Sequence, residues 1–181
     1  MSTWHKHITN FYANIKSPVL PADVQALLPF EEENVSGVFK SFYQKFYNDK
    51  SERRFIIGIN PGRFGGGVTG IPFTDPIRLA NACGIENNFQ QRQELSSLFI
   101  YQMIAAFGGP KAFYKQFYIT SYSPIGFTRA GKNLNYYDDK LLASTVEPFA
   151  AQCLHEQLSW QRNVISLTAL AMVKISSLYL S

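Results

Sequence analysis

Apolar residues recur at helical spacing from the start of the chain. Trp4, Ile8, Phe11 and Ile15 lie three or four positions apart, the period of one face of a helix. A helix over Thr3 to Ile15 is predicted, ended by Pro18 and Pro21. Beyond the polar run Glu31 to Asn34, the residues Val38, Phe39, Phe42 and Phe46 repeat the pattern, with Asn34 or Ser36 as N-cap. Asn48 to Ser51 make an exposed turn. Arg54 to Ile59 is a short apolar run, read as a buried strand. Asn60 to Phe73 carries Pro61, Gly62, Gly65, Gly66, Gly67, Gly70 and Pro72, too many breakers for regular structure. Helices follow over Pro76 to Cys83, closed by Gly84, and Glu94 to Phe107, closed by Gly108 and Gly109. Asn87 to Arg92, between them, reads as an exposed loop. Phe117 to Thr120 is a second strand, leading into an irregular segment with Pro124, Gly126 and Gly131. Asp138 then caps a long helix bearing Leu141, Leu142, Val146, Phe149, Cys153, Leu154 and Leu158, with a kink at Pro148. A strand from Asn163 to Leu167 and a short helix complete the pattern. Alternating strands and helices predict an α/β fold, a three-layer α/β/α domain with a central, mainly parallel sheet.

Composition narrows the class. At 181 residues, 46% of them hydrophobic, the chain can bury one core, so a single domain over residues 1–181 is expected. Cys83 and Cys153 are too few for a disulfide framework or a four-ligand metal site. They read as buried apolar residues of a cytoplasmic protein. The stretch Trp4 to His7 lacks the apolar core of a signal peptide, and Lys174 and several serines interrupt the tail, so no membrane anchor is expected. His5, His7 and His155 read as helix surface. No metal or organic cofactor is implied, and the oligomeric state is left open. A net charge of +4 favours an anionic partner without requiring one.

The candidate chemistry lies where the two strands end. In open parallel sheets ligands bind beyond the carboxyl ends of the strands, which places Asn60 to Phe73 beside Thr120 to Asn133. Gly65, Gly67 and Gly70 fit a dinucleotide-binding spacing, but Pro72 and Pro76 follow where that fingerprint should open a helix. The string GINPGRFGGGVTGIPFTD, Gly58 to Asp75, resembles instead the first motif of the uracil-DNA glycosylase superfamily. There a strand ends in Gly-x-Asn-Pro-Gly and a Thr-Gly-x-Pro-Phe element follows. FYITSYSPIGFTRAGKN, Phe117 to Asn133, is similar to the segment that reads the Watson–Crick edge of the extruded base in the same family. The resemblance spans roughly residues 36 to 160 and is nearest to the bacterial single-strand-selective monofunctional branch.

That resemblance implies a monofunctional DNA glycosylase of base-excision repair, removing uracil or a related deaminated base from a flipped nucleotide. The implied partner is uracil-containing DNA, single- or double-stranded. Asn60 is the implied catalytic residue, orienting the attacking water. An amide is a weak base, but an oxocarbenium-like sugar needs little more than an oriented nucleophile. Gly58, Ile59, Pro61, Gly62, Phe64, Gly70, Phe73 and Ser121 are the implied substrate-binding residues. Phe73, held by Gly70 and Pro72, would be the stacking platform. The glycines at 62, 65, 66 and 67 would let backbone N–H groups approach a phosphate or base oxygen. Ser121 stands where the family places a base-reading asparagine, so one hydroxyl replaces a bidentate amide. Arg129 and Lys132 are candidate DNA contacts.

The resemblance also implies a further strand, a helix and a loop with a catalytic histidine and a proline after the long helix. No His-Pro pair follows residue 160. The fold is therefore expected to be incomplete at the C-terminus and the activity impaired, the alternative being a non-catalytic nucleic-acid-binding remnant. A slip of reading frame accounts for the tail: permissible codons for Ile165 to Ser181, read two bases later, can encode a family-like strand and turn.

Overall fold

In the computed structural model, residues 2–161 and 167–169 are described. Helix α1 (Trp4–Asn14) buries Trp4, Ile8, Phe11 and Tyr12, the predicted stripe with Tyr12 added and without Ile15, which lies extended and half-buried past the helix end. Helix α2 (Glu33–Tyr47) buries Val35, Phe39, Phe42, Tyr43 and Tyr47. It starts one residue before the predicted Asn34 cap and well before Ser36. Glu32 is its N-cap and makes no side-chain cap bond; the Asn34 Oδ1 accepts from the Val35 N–H at 3.0 Å. Both helices pack on strands β2 (Arg54–Gly58) and β3 (Phe117–Ser121), which pair in parallel from Arg54 with Phe117 to Gly58 with Ser121.

Aromatic rings fill this interface. Trp4 lies 5.9 Å from Phe55 and 5.2 Å from Tyr118 between centroids, within the range of favourable tilted contacts. The neighbouring Phe117 stacks 4.7 Å from Phe113 and meets Phe107, because successive strand residues face opposite sides of a sheet. Arg53, fully buried, fixes the entry to β2. Its guanidinium donates to both Asp49 oxygens at 2.9 Å and to the Tyr114 carbonyl at 2.8 Å, and it lies over the Tyr47 ring.

Strand β6 (Leu167–Ala169) pairs in parallel with the other edge of β2, giving the order β3-β2-β6. Of the strand predicted at Asn163 to Leu167, only Leu167 lies within the described residues, and it opens β6. The rest of the tail reading, including the short helix and the frame slip, falls on residues 162–166 and 170–181, outside the described residues.

Three strands are not predicted by the sequence pattern. Strands β1 (Val24–Leu27), β4 (Gly126–Arg129) and β5 (Lys132–Leu134) form a separate antiparallel sheet in the order β1-β4-β5. Among the described residues the expected mainly parallel sheet is therefore one of two three-stranded sheets. With three or four residues, these strands are too short to show alternation. The two-residue turn joining β4 to β5 is Ala130-Gly131, both at positive φ, 49° and 71°, without the Asn-Gly or Asp-Gly signature of such turns. Val24, Ile125 and Phe127 form a second core with Leu142, Val146 and Ala150 of the helix over Lys140–Leu158.

Along the chain between β2 and β3 run α3 (Gly66–Thr69), one helical turn inside the glycine segment expected to lack regular structure, then α4 (Pro76–Asn81), α5 (Leu95–Ala106) and α6 (Pro110–Gln116). The stop at Gly108 and Gly109 is as predicted, but Pro110 restarts a helix at its first position, where a missing N–H costs nothing. Helix α7 (Lys140–Leu158) contains Pro148 and is capped by Asp139 rather than Asp138, the Asp139 Oδ1 accepting from the Leu142 N–H at 2.9 Å. Asp138 instead closes a capping box with Asn135. Cys83 and Cys153 are buried, as expected, and His155 is exposed. Among the described residues no helix is long and apolar enough to cross a membrane, and no group of His, Cys, Asp or Glu could hold a metal ion.

Candidate active site

The exits of β2 and β3 are stitched together past the last strand pair. The Tyr122 N–H donates to the Gly58 carbonyl at 2.9 Å and the Ser123 N–H to the Ile59 carbonyl at 3.0 Å. The two motif loops therefore leave the sheet side by side. Between them lies a cavity of about 170 Å³ lined by Ile59, Asn60, Pro61, Gly62, Phe73, Glu94, Ser96, Ser121, Asn133 and Asn135. Asn60, Phe73 and Ser121 face one space, as the sequence motifs imply.

Phe73 is held in a strained backbone. Its φ is +53°, a left-handed conformation that costs a non-glycine residue roughly 1–2 kcal/mol. The surrounding motif residues over-determine the turn. The buried Thr69 hydroxyl donates to the Thr74 carbonyl at 2.7 Å and accepts from the Ile71 N–H at 3.1 Å. The Thr74 N–H closes back to the Ile71 carbonyl, and the Thr74 hydroxyl to the Pro72 carbonyl. Asp75, fully buried, then caps α4 through Arg78 and accepts from the Glu94 N–H at 3.0 Å. The threonines and aspartate of the motif thus brace the ring rather than touch the cavity. The ring itself lies against Gly58, the floor of the site.

Asn60 is clamped across to the second sheet. Its Nδ2 donates to the Leu134 and Pro61 carbonyls, each at 3.3 Å, and its Oδ1 accepts from the Tyr136 N–H at 3.1 Å. The amide therefore links the end of β2 to the end of β5, and its orientation is set by that link. Ser121 is 3% exposed, and among the described residues its hydroxyl has no hydrogen-bond partner, leaving it free for a ligand.

The glycine loop is not arranged as a phosphate cradle. The N–H groups of Gly65 and Gly67 both donate to the Gly62 carbonyl, and the Glu94 carboxylate occupies the space that side chains at Gly62 and Gly65 would fill. Glycine at those positions makes room for a carboxylate, which would repel an anion. Glu94 is half-buried, and burial pushes its carboxyl pKa up, a rise partly offset by the Ser96 hydroxyl and reinforced by the Asp75 charge. Among the cavity-lining residues it alone is ionisable. The sequence marks Glu94 only as a helix start, and no local signal distinguishes it. Asn133 was within the second motif, and its Oδ1 accepts from the Arg63 N–H at 2.9 Å.

Of the other sequence candidates, Ile59, Pro61 and Gly62 line the cavity. Gly58 lies just beneath Phe73, Gly70 packs on Phe39 away from the cavity, and Phe64 sits at the rim under the guanidinium groups of Arg63 and Arg92. Arg129 is ion-paired with Asp23 at 2.8 Å and Asp139 at 2.9 Å. Lys132 is exposed at the start of β5.

The parallel sheet thus opens at its strand ends into a small polar cavity, floored by glycine and walled by a strained aromatic residue. The family model of the uracil DNA glycosylase superfamily matches residues 44–177, and the chain belongs to that superfamily; it is a DNA glycosylase. It is similar to the solved structure described as "The crystal structure of WT Pedobacter heparinus SMUG2", with a TM-score of 0.90 and 41% identity over 98% of this chain and 80% of that one. No curated protein matches the chain.

Proposed function

We propose that the protein hydrolyses the N-glycosyl bond of uracil, or of a related deaminated base, after that base has flipped out of the DNA strand into this cavity. The observation that carries the reading is the convergence of Asn60, Phe73 and Ser121 on one space at the ends of β2 and β3. The Phe73 ring offers a stacking surface worth about 1–3 kcal/mol, against the few kcal/mol that unstacking costs. The Ser121 hydroxyl supplies a hydrogen bond to the base edge. Asn60, with its amide oriented by Leu134 and Tyr136, positions the attacking water.

As the bond breaks, positive charge grows on the sugar and negative charge on the base. The Glu94 carboxylate lines the same cavity, and a negative group on the sugar side of the bound nucleotide would favour the transition state over the neutral ground state. The test is formation of abasic sites in a uracil-containing single-stranded oligonucleotide by this chain and by Asn60→Ala. Abasic sites with the wild-type chain and a loss of at least tenfold in the variant are expected. Strand binding without any abasic site would leave a nucleic-acid-binding protein and sink the catalytic reading.

A further inference from the structure

We infer that Arg63 and Arg92, packed over Phe64 at the cavity rim, form a clamp for the phosphodiester backbone of the strand whose base enters the cavity. The guanidinium carbon of Arg63 lies 4.2 Å and that of Arg92 3.6 Å from the Phe64 ring centroid. Two cations on one ring stand within about 8 Å of each other, the screening length at physiological salt. Cation–π attraction to Phe64 offsets part of their repulsion, and among the described residues no carboxylate, that of Glu94 included, lies within ion-pair distance of either.

Other arginines of the described chain differ in partner or place. Arg53, Arg78 and Arg129 each hold a carboxylate, and Arg54 begins β2 at the end of the sheet away from the cavity. Arg63 and Arg92 are thus two guanidinium groups without an ion-pair partner, placed together beside the cavity residues Gly62 and Glu94.

Their positions are fixed by the site itself. Arg63 follows the cavity residue Gly62, its N–H is tied to Asn133, and its guanidinium donates to the Gly131 carbonyl in the β4–β5 turn. Arg92 stands two residues before Glu94. A guanidinium carries five N–H donors in a planar fork, so one held over a ring and bonded once still has donors for phosphate oxygens. A phosphate bridging both would relieve the repulsion and hold the strand with its sugar over the cavity. Phe64 is then the platform for the clamp rather than a wall of the base pocket.

The clamp rests on the proposed entry of a DNA base into this cavity but is tested separately from it. Binding of fluorescent single-stranded oligonucleotides, one with a central uracil and one with thymine, is measured by anisotropy across about 50–200 mM salt. Each lost phosphate contact should flatten the slope of log K against log salt by about 0.7. Arg63→Gln and Arg92→Gln should each do so, and the double variant by about twice as much, equally for both strands. Arg63→Lys and Arg92→Lys, which keep the charge, should retain the slope and show that the fold persists. Arg54→Gln controls for loss of one positive charge elsewhere. A wild-type slope in the glutamine double variant, an equal effect from Arg54→Gln, or no salt-dependent binding by the wild-type chain would each overturn the clamp. Flattened slopes without uracil preference or abasic sites would uphold the clamp and refute the base pocket.

Discussion

The ring of Phe73 rests on the bare backbone of Gly58: a side chain built there would stand 2.6 Å from Cζ and 2.8 Å from Cε2 of the ring. The floor and wall of the cavity are therefore one packing unit, with no room for a methyl group between them. Gly58→Ala should displace the ring and weaken uracil binding about tenfold, in line with the loss of part of a stacking contact. Titration of the protein with uracil, followed by NMR, measures it; undiminished affinity would show that the ring does not need this floor.

Strain at Phe73 gives a prediction about stability rather than binding. Replacing it by alanine removes the ring but keeps the left-handed backbone, whereas glycine removes both ring and strain. Phe73→Gly should therefore be more stable than Phe73→Ala by about 1 kcal/mol, against the usual order. Urea denaturation of the two variants decides it, and equal stability would mean that the turn relaxes when the ring is lost.

Asn60 carries a structural link as well as a proposed catalytic one. Asn60→Ala leaves the Tyr136 N–H without its acceptor, and a loss of about 1 kcal/mol is expected. Faster amide exchange confined to Tyr136 and the end of β5 is the specific readout, because a general loss of stability would raise exchange across the sheet as well.

Glu94 makes stability depend on pH in a defined direction. Its folded-state pKa is raised, by burial first, so the folded chain holds this proton more tightly than the unfolded chain. The associated stability is fully present below the ordinary glutamate range and is lost as pH rises through the elevated folded value. Glu94→Gln should remove that decline and raise Tm at neutral pH while leaving it unchanged in acid. Thermal melts of both proteins across the range test this, and parallel curves would contradict it.

How much of this was readable in the chain varies with the range of the interactions concerned. Helix α1, the Phe39 and Phe42 face of α2, strands β2 and β3 and the glycine segment, apart from its one helical turn α3, follow from spacing of apolar residues and from breakers, which are local. Asn60, Phe73 and Ser121 were legible through two contiguous motifs, each placed just after a strand. The second sheet was not, because β1 pairs with β4 across about a hundred residues and its turn uses Ala130 at positive φ, which no residue preference announces.

Glu94 and the Arg63–Phe64–Arg92 cluster mark the same boundary. The sequence by itself determined which strands end in chemistry, since burial periodicity and glycine content act over a few neighbours. Only the tertiary structure decided that a carboxylate more than thirty residues from Asn60 would fill the space left by two glycines, and that two arginines would share one ring without an anion. Those outcomes depend on how α5 docks against the loop after β2, a consequence of the Asp75 link to Glu94 and of core packing, neither of which is encoded in any short run of residues.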